Sequence, residues 1–188
     1  MLGACNHAMD EKSLSAYIAD PDHGLIQEKM ANGVSFKVIY RPQDFLVKQE
    51  MDAGLARTDM AIARLHEQYN KQIYFLLSIS KNNQEVLNSL AGDRESFSEM
   101  INRLAFGMGE NVTLVTSESD TLEVVDAIYP RMYGMSNSTD ILLAFKNKEI
   151  KKAEYLKLTL KDLGLNTGNI DFKFNTKDIK RTPKLKLQ

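Results

Sequence analysis

Few residues in this chain could do chemistry, and their spacing rules most of that chemistry out. His66-Glu67 opens like the helix of a zinc protease, but position 70 is asparagine. No second imidazole then faces a metal one helical turn on. His66 is expected to border an apolar stripe and donate to a backbone or solvent group. Gly134-Met135-Ser136-Asn137-Ser138 has the outline of a nucleophile elbow, with Ser138 where a second glycine lets helix and strand approach closely. Its composition predicts a surface turn. Gly107-Met108-Gly109-Glu110-Asn111-Val112 starts like a dinucleotide fingerprint. It follows a helical pattern and leads into a strand, whereas phosphate binding needs a helix N-terminus after the glycines. Asp20-Pro21-Asp22-His23-Gly24 alternates carboxylates like a calcium loop but lacks the later ligands and the closing glutamate. Glu118, Asp120, Glu123 and Asp126 form a local acidic cluster. If 122–129 is one strand, Glu123 points opposite Asp126, which argues against a shared cation. No cofactor and no metal are expected, and catalytic residues are unassigned. A hydrolase-like site would need His23 or His66 brought beside a carboxylate and a serine by the fold.

Cys5 is the sole cysteine, so no internal disulfide is available. A nucleophilic thiol needs a fixed base and a depressed pKa. Five residues from the start of the chain neither is expected, although His7 is close in sequence. The stretch Leu2-Gly3-Ala4-Cys5 is an aliphatic-small-small run ending in cysteine, followed by the polar run Asn6 to Ser13. It resembles the lipobox of bacterial lipoproteins. The resemblance implies that Cys5 is acylated, with the charged start and apolar stretch of a signal peptide upstream of Met1. Each acyl methylene contributes about 0.8 kcal/mol to membrane binding, so two or three chains make a stable anchor. Asn6 is not the aspartate that holds some lipoproteins at the inner membrane, which favours the outer membrane or cell surface. The four residues name an address and no activity.

A chain of 188 residues with 43% hydrophobic content is ordinary for one domain with a full core. No apolar run approaches the roughly 18–20 residues of a spanning helix. Net charge is −1 overall, but residues 1–145 carry −8 and residues 146–188 carry +7. That basic quarter could face anionic lipid or an acidic envelope protein. The reading favoured over this is that its lysines line solvent-facing strand positions and sheet edges. No nucleic-acid motif accompanies them, so no nucleic acid is expected.

The elements that must position these residues read as follows. Residues 1–13 form a polar leader, and 14–188 form a single α+β domain. Leu14 to Ile18 suits a helical turn, stopped by the 20–24 turn cluster. Leu25–Ala31 and Val34–Arg41 flank Asn32-Gly33, the strongest short hairpin signal. Gln43 to Gln68 is mostly helical with a break near Gly54 and a cap at Thr58. Ile73–Ile79 reads as an interior strand, residues 81–92 as loop or short helix, and Asp93–Gly107 as a cleaner helix. Strands are expected at Val112–Thr116, Leu122–Tyr129, Thr139–Phe145, Tyr155–Leu160 and Ile170–Phe174. Together these predict a mainly antiparallel sheet with an N-terminal β-hairpin and two main helices. The Lys148–Lys152 stretch is the most plausible linker. Tyr129, Met132, Tyr133 and Met135 gather around Pro130 and Gly134, as hairpin packing or as an adaptable contact surface. The expectation is a lipid-anchored envelope protein with a binding or assembly role. The alternatives are an envelope enzyme or a soluble cytoplasmic protein with a chance Leu-Gly-Ala-Cys.

Overall fold

Residues 8–55, 58–132, 134–147, 150 and 152–187 are described in the structure, a computed structural model. Cys5, His7, Tyr133 and much of the 148–152 stretch lie outside the described residues.

Local chemistry sets each early element. Asp10 caps helix α1 (Glu11–Ala19) by accepting from the Ser13 N–H at 2.9 Å, and the i, i+4 pair Leu14 and Ile18 is its buried face. A 3₁₀ turn at Pro21–His23 leads into β1 (Ile26–Ala31) and β2 (Val34–Arg41). Asn32 and Gly33 between them have φ of 48° and 71°, the two positive angles of a type I′ turn. Helices α2 (Gln43–Asp52) and α3 (Asp59–Tyr69) follow, separated around Gly54. Thr58 caps the second by accepting from Ala61 N–H at 3.2 Å. Strand β3 (Gln72–Lys81) turns at Asn82-Asn83 into the short β4 (Gln84–Glu85) and a 3₁₀ segment over Val86–Leu90.

Asp93 caps helix α4 (Arg94–Phe106) by accepting from the Glu95 and Ser96 N–H groups. The Ser96 hydroxyl, which also donates to it, and then these backbone bonds hold its carboxyl below the usual range. A short helix α5 (Met108–Asn111) opens into β5 (Val112–Thr116), then β6 (Thr121–Leu122) and β7 (Val124–Ile128). The chain finishes with β8 (Thr139–Lys146), β9 (Tyr155–Leu160), β10 (Ile170–Asn175) and α6 (Thr176–Arg181).

The strands form two sheets. One runs β1-β2-β3-β8-β7, with β4 pairing the end of β3, and the other runs β10-β9-β5-β6; every pairing is antiparallel. The α+β class, the antiparallel pairing and the first hairpin agree with the sequence reading. The C-terminal strands, expected to complete the same sheet, instead build a second one. Register aligns the apolar rows of the first sheet, Val38–Leu77–Ile141 and Tyr40–Phe75–Leu143. These rows share one core with Leu114, Leu158, Phe172 and Phe174 of the second. The Phe75 ring lies 5.0 Å from Phe174 and 6.3 Å from Phe145. Met100 and Leu104 of α4 pack into that core beside Val86 and Met108. A smaller cluster joins Leu14, Ile18, Leu25, Phe45 and Leu185, with Ile39 and Tyr40 against it.

One strand expectation is corrected. Leu122–Tyr129 is not continuous: Leu122 ends β6 in the small sheet, and Val124 begins β7 in the large one. Glu123 is the joint between sheets. Its backbone carbonyl accepts from Lys146 N–H at 3.0 Å, and its carboxylate pairs with the Lys146 ammonium.

Candidate functional site

The Tyr129 to Ser138 segment is fixed from below by a residue with no sequence signal. Glu85, at the end of β4, is 1% exposed. Its Oε1 accepts the backbone N–H groups of Gly134 at 2.9 Å and Ser136 at 3.2 Å. A buried carboxylate needs such partners, because leaving it unpaired is costly. The strand position of Glu85 follows from the Asn82-Asn83 turn, whose residues both adopt positive φ (54° and 56°). Val86 N–H next to it donates to the buried Thr139 hydroxyl at 3.1 Å, tying the segment to β8.

Between this segment and α4 lies a cavity of about 320 Å³. Leu87, Phe97, Ile101 and Tyr129 supply apolar wall, and Glu85, Asn88 and Arg131 supply its polar groups. Phe97 and Ile101 are the half-buried members of the α4 stripe whose other members, Met100 and Leu104, fill the core. Mostly apolar walls with a few convergent polar groups are the usual make-up of a ligand site. Met132 and Met135 stand exposed on the same segment, Met135 at 78%. The elbow-like Gly134–Ser138 stretch is a turn, as its composition predicts. Ser136 contributes a backbone N–H to Glu85, and its hydroxyl accepts from the Ser138 N–H.

The other sequence candidates lie apart from this cavity. His66 Nδ1 stands 3.7 Å from Asp44 Oδ1, a carboxylate where a backbone or solvent partner was expected. The second oxygen of Asp44 accepts the Leu185 N–H at 3.0 Å, so this carboxylate ties down the C-terminal segment. His23 stacks on Tyr17 with ring centres 3.6 Å apart, and its Nδ1 is 2.7 Å from the Tyr17 carbonyl. The calcium-like loop is the 3₁₀ turn, where Asp20 accepts from Asp22 N–H at 3.0 Å. Gly107 to Asn111 passes from α4 through α5 directly into β5. Among the described residues, no group of three or more His, Cys, Asp or Glu is placed to hold a metal. Cys5 lies outside the described residues.

Among the described residues, the basic quarter is spread mostly over solvent-facing positions. Lys157 and Lys173 are opposite one another on β9 and β10, alternating with buried Leu156, Leu158, Phe172 and Phe174. Lys157 pairs with Asp171 at 3.9 Å, and the Lys173 ammonium lies 3.9 Å from the Tyr155 ring centre. Sequence reasoning also missed Asp162, which organises the β9–β10 loop. Its carboxylate accepts N–H groups from Gly164, Leu165 and Gly168 at 2.9, 2.8 and 3.2 Å. Burial pushes this carboxyl up, but the backbone bonds outweigh it and hold it below the usual range.

No family model, curated protein or solved structure matches this chain.

Proposed function

We propose that this chain is a lipid-anchored protein of the cell envelope, held at the outer membrane or cell surface through Cys5, whose body works by binding a partner. The observation that carries the binding role is the cavity beneath the Tyr129–Gly134 segment. Its apolar walls suit an apolar group presented by an envelope protein, and Met132 and Met135 beside it offer side chains that repack easily. The buried Glu85 holds the rim in shape without needing the partner, so little ordering entropy opposes association. Leu87 and Tyr129 of the cavity wall pack against the main core, whereas Met9, within the 1–13 leader, packs on the smaller cluster. Anchor and binding surface therefore use different elements.

Two measurements test this reading. Mass spectrometry of the native protein should find Cys5 at the N-terminus carrying thioether-linked and amide-linked acyl chains. Cys5→Ser should move the protein out of the membrane fraction. An unmodified thiol with the upstream residues still attached would end the anchored reading. For the body, a photo-crosslinking residue at Met135 should yield a discrete adduct in intact cells. The same residue at Met30, equally exposed at 76% but on β1, should not. Identical results at the two positions would remove the binding role from this surface.

A further inference from the structure

A second concavity has a different chemistry. It lies on the outer face of the large sheet, between α2, the end of α3 and strands β3, β8 and β7, and encloses about 400 Å³. Its floor follows from register: Tyr74 is paired with Ala144, Ala144 with Asp126, and Leu142 with Ile128. Directly paired residues point to the same side of a sheet. The floor is therefore apolar along β8, and at its β7 edge Asp126 stands among the apolar Val125 and Ile128.

The rim is made of planar polar side chains. Gln49 and Glu50 come from α2, Gln68 from the end of α3, Gln72 from the start of β3 and Asp126 from β7. Three of them are already oriented: Asp126 Oδ1 accepts the Ala127 N–H at 2.8 Å, and two more are held by phenols. Tyr69 hydroxyl donates to Glu50 Oε1 at 2.9 Å, and Tyr74 hydroxyl donates to Gln72 Oε1 at 2.8 Å. With its oxygen engaged, the Gln72 amide offers N–H donors to a ligand, and a carboxylate holding one phenol keeps acceptor capacity. Burial, then the Glu50 contact, push the Tyr69 hydroxyl up to about 12, and burial with Tyr69 nearby does the same for Tyr74. Both phenols are neutral donors at physiological pH.

This make-up discriminates between ligand classes. No lysine or arginine lines the groove among the described residues, so with two carboxylates present an anion is repelled. A quaternary or primary ammonium ligand would want several aromatic faces around it. Tyr69 and Tyr74 instead meet edge-to-face, 6.1 Å apart at 70°, and Tyr74 is only 4% exposed. A wholly apolar ligand would leave Gln49, Gln68 and the remaining hydrogen-bonding capacity of Glu50, Gln72 and Asp126 unused. What fits is a neutral molecule with one apolar face and a periphery of hydroxyls that each donate and accept. We infer that this groove, between the α2–α3 pair and the β3-β8-β7 end of the large sheet, is a binding site for a neutral carbohydrate. The C–H face of a sugar ring lies over Leu142 and Ala144, and its hydroxyls meet the glutamines, Glu50 and Asp126. The groove opens at the edge strand β7, so a longer glycan can run past it.

Titration calorimetry on the full chain with chitotriose, cellotriose and maltotriose tests this. The first probe represents an amino-sugar glycan and the other two represent glucans. At least one should bind saturably in the millimolar range or tighter. Gln68→Ala and Asp126→Ala, both at exposed positions, should each weaken that binding roughly tenfold, as loss of a hydrogen bond to a fixed ligand does. Their thermal melts should match the parent, and Met30→Ala should bind as the parent does. Failure of all three trisaccharides to bind would overturn the inference, as would binding that both variants leave unchanged. Choline binding with the same sensitivity to Asp126→Ala, in place of sugar binding, would reassign the groove to cations. The crosslinking test at Met135 concerns other residues, so each result stands without the other.

Discussion

Glu85 shows how much one buried side chain can determine. Its Oε1 serves two backbone N–H groups of the segment that roofs the cavity. Glu85→Ala leaves both donors without their partner and should cost about 2–4 kcal/mol. Glu85→Gln keeps the acceptor oxygen and should cost less than half of that; denaturant titration of the two variants separates them. Nothing in the string Asn83-Gln84-Glu85-Val86 marks this glutamate, because its importance comes from residues nearly fifty positions away. Asp162 is similar in kind but more local, since its three N–H partners follow within six residues. An aspartate two residues before the first glycine of a Gly-Leu-Asn-Thr-Gly loop could have been read as its organiser. Gly164 in that loop has φ of 87°, and a β-carbon there would overlap the Arg103 guanidinium. Arg103 can swing aside, so Gly164→Ala should destabilise by the ordinary cost of a left-handed alanine, about 1–2 kcal/mol, as a melt would report.

Among the elements, β3 carries the most. It is the central strand of the large sheet, and Phe75 at its middle meets Tyr40, Phe145 and Phe174 across 6.0, 6.3 and 5.0 Å. Phe75→Ala should cost about 3–5 kcal/mol, read from the shift in denaturation midpoint at unchanged slope. The strand was legible in the sequence because Ile73 to Ile79 is a nearly continuous apolar run. The first hairpin was legible through Asn32-Gly33, and α4 through the apolar stripe of Phe97, Met100, Ile101, Leu104 and Ala105. The split between β6 and β7 was not. Val124 continues the apolar pattern of Leu122 past Glu123, so periodicity alone cannot reveal that the chain changes sheets there. The assignment of β9 and β10 to a separate sheet was hidden for the same reason: alternation tells which face is buried and not which sheet it meets. The groove on the outer face of the large sheet needed that topology, since its rim comes from α2, α3, β3 and β7.

Across the whole molecule, alkaline pH gives a collective test. Burial, with Asp44 nearby, pushes the Tyr40 hydroxyl up to about 12, as burial does for Tyr69 and Tyr74. An unfolded tyrosine ionises near 10. Between roughly pH 10 and 12 the unfolded chain therefore binds fewer protons than the folded one, and stability must fall as pH rises. Tyr40→Phe should flatten part of that decline in melting temperatures measured across the window. Met9 is also joined to the 184–186 segment. Met9 N–H donates to the Lys184 carbonyl at 2.8 Å, Lys186 N–H donates to the Met9 carbonyl at 2.7 Å, and Leu185 between them is buried and held by Asp44. Truncation after Pro183 should expose the Met9 amide to fast hydrogen exchange and cost about 1.5–3 kcal/mol of lost Leu185 burial.

That two-bond clasp has a mechanical meaning. A force arriving at Met9 is shared at once with residues 184–186. Were Cys5 anchored as proposed, such a load would strain the 184–186 segment together with the start of the first helix.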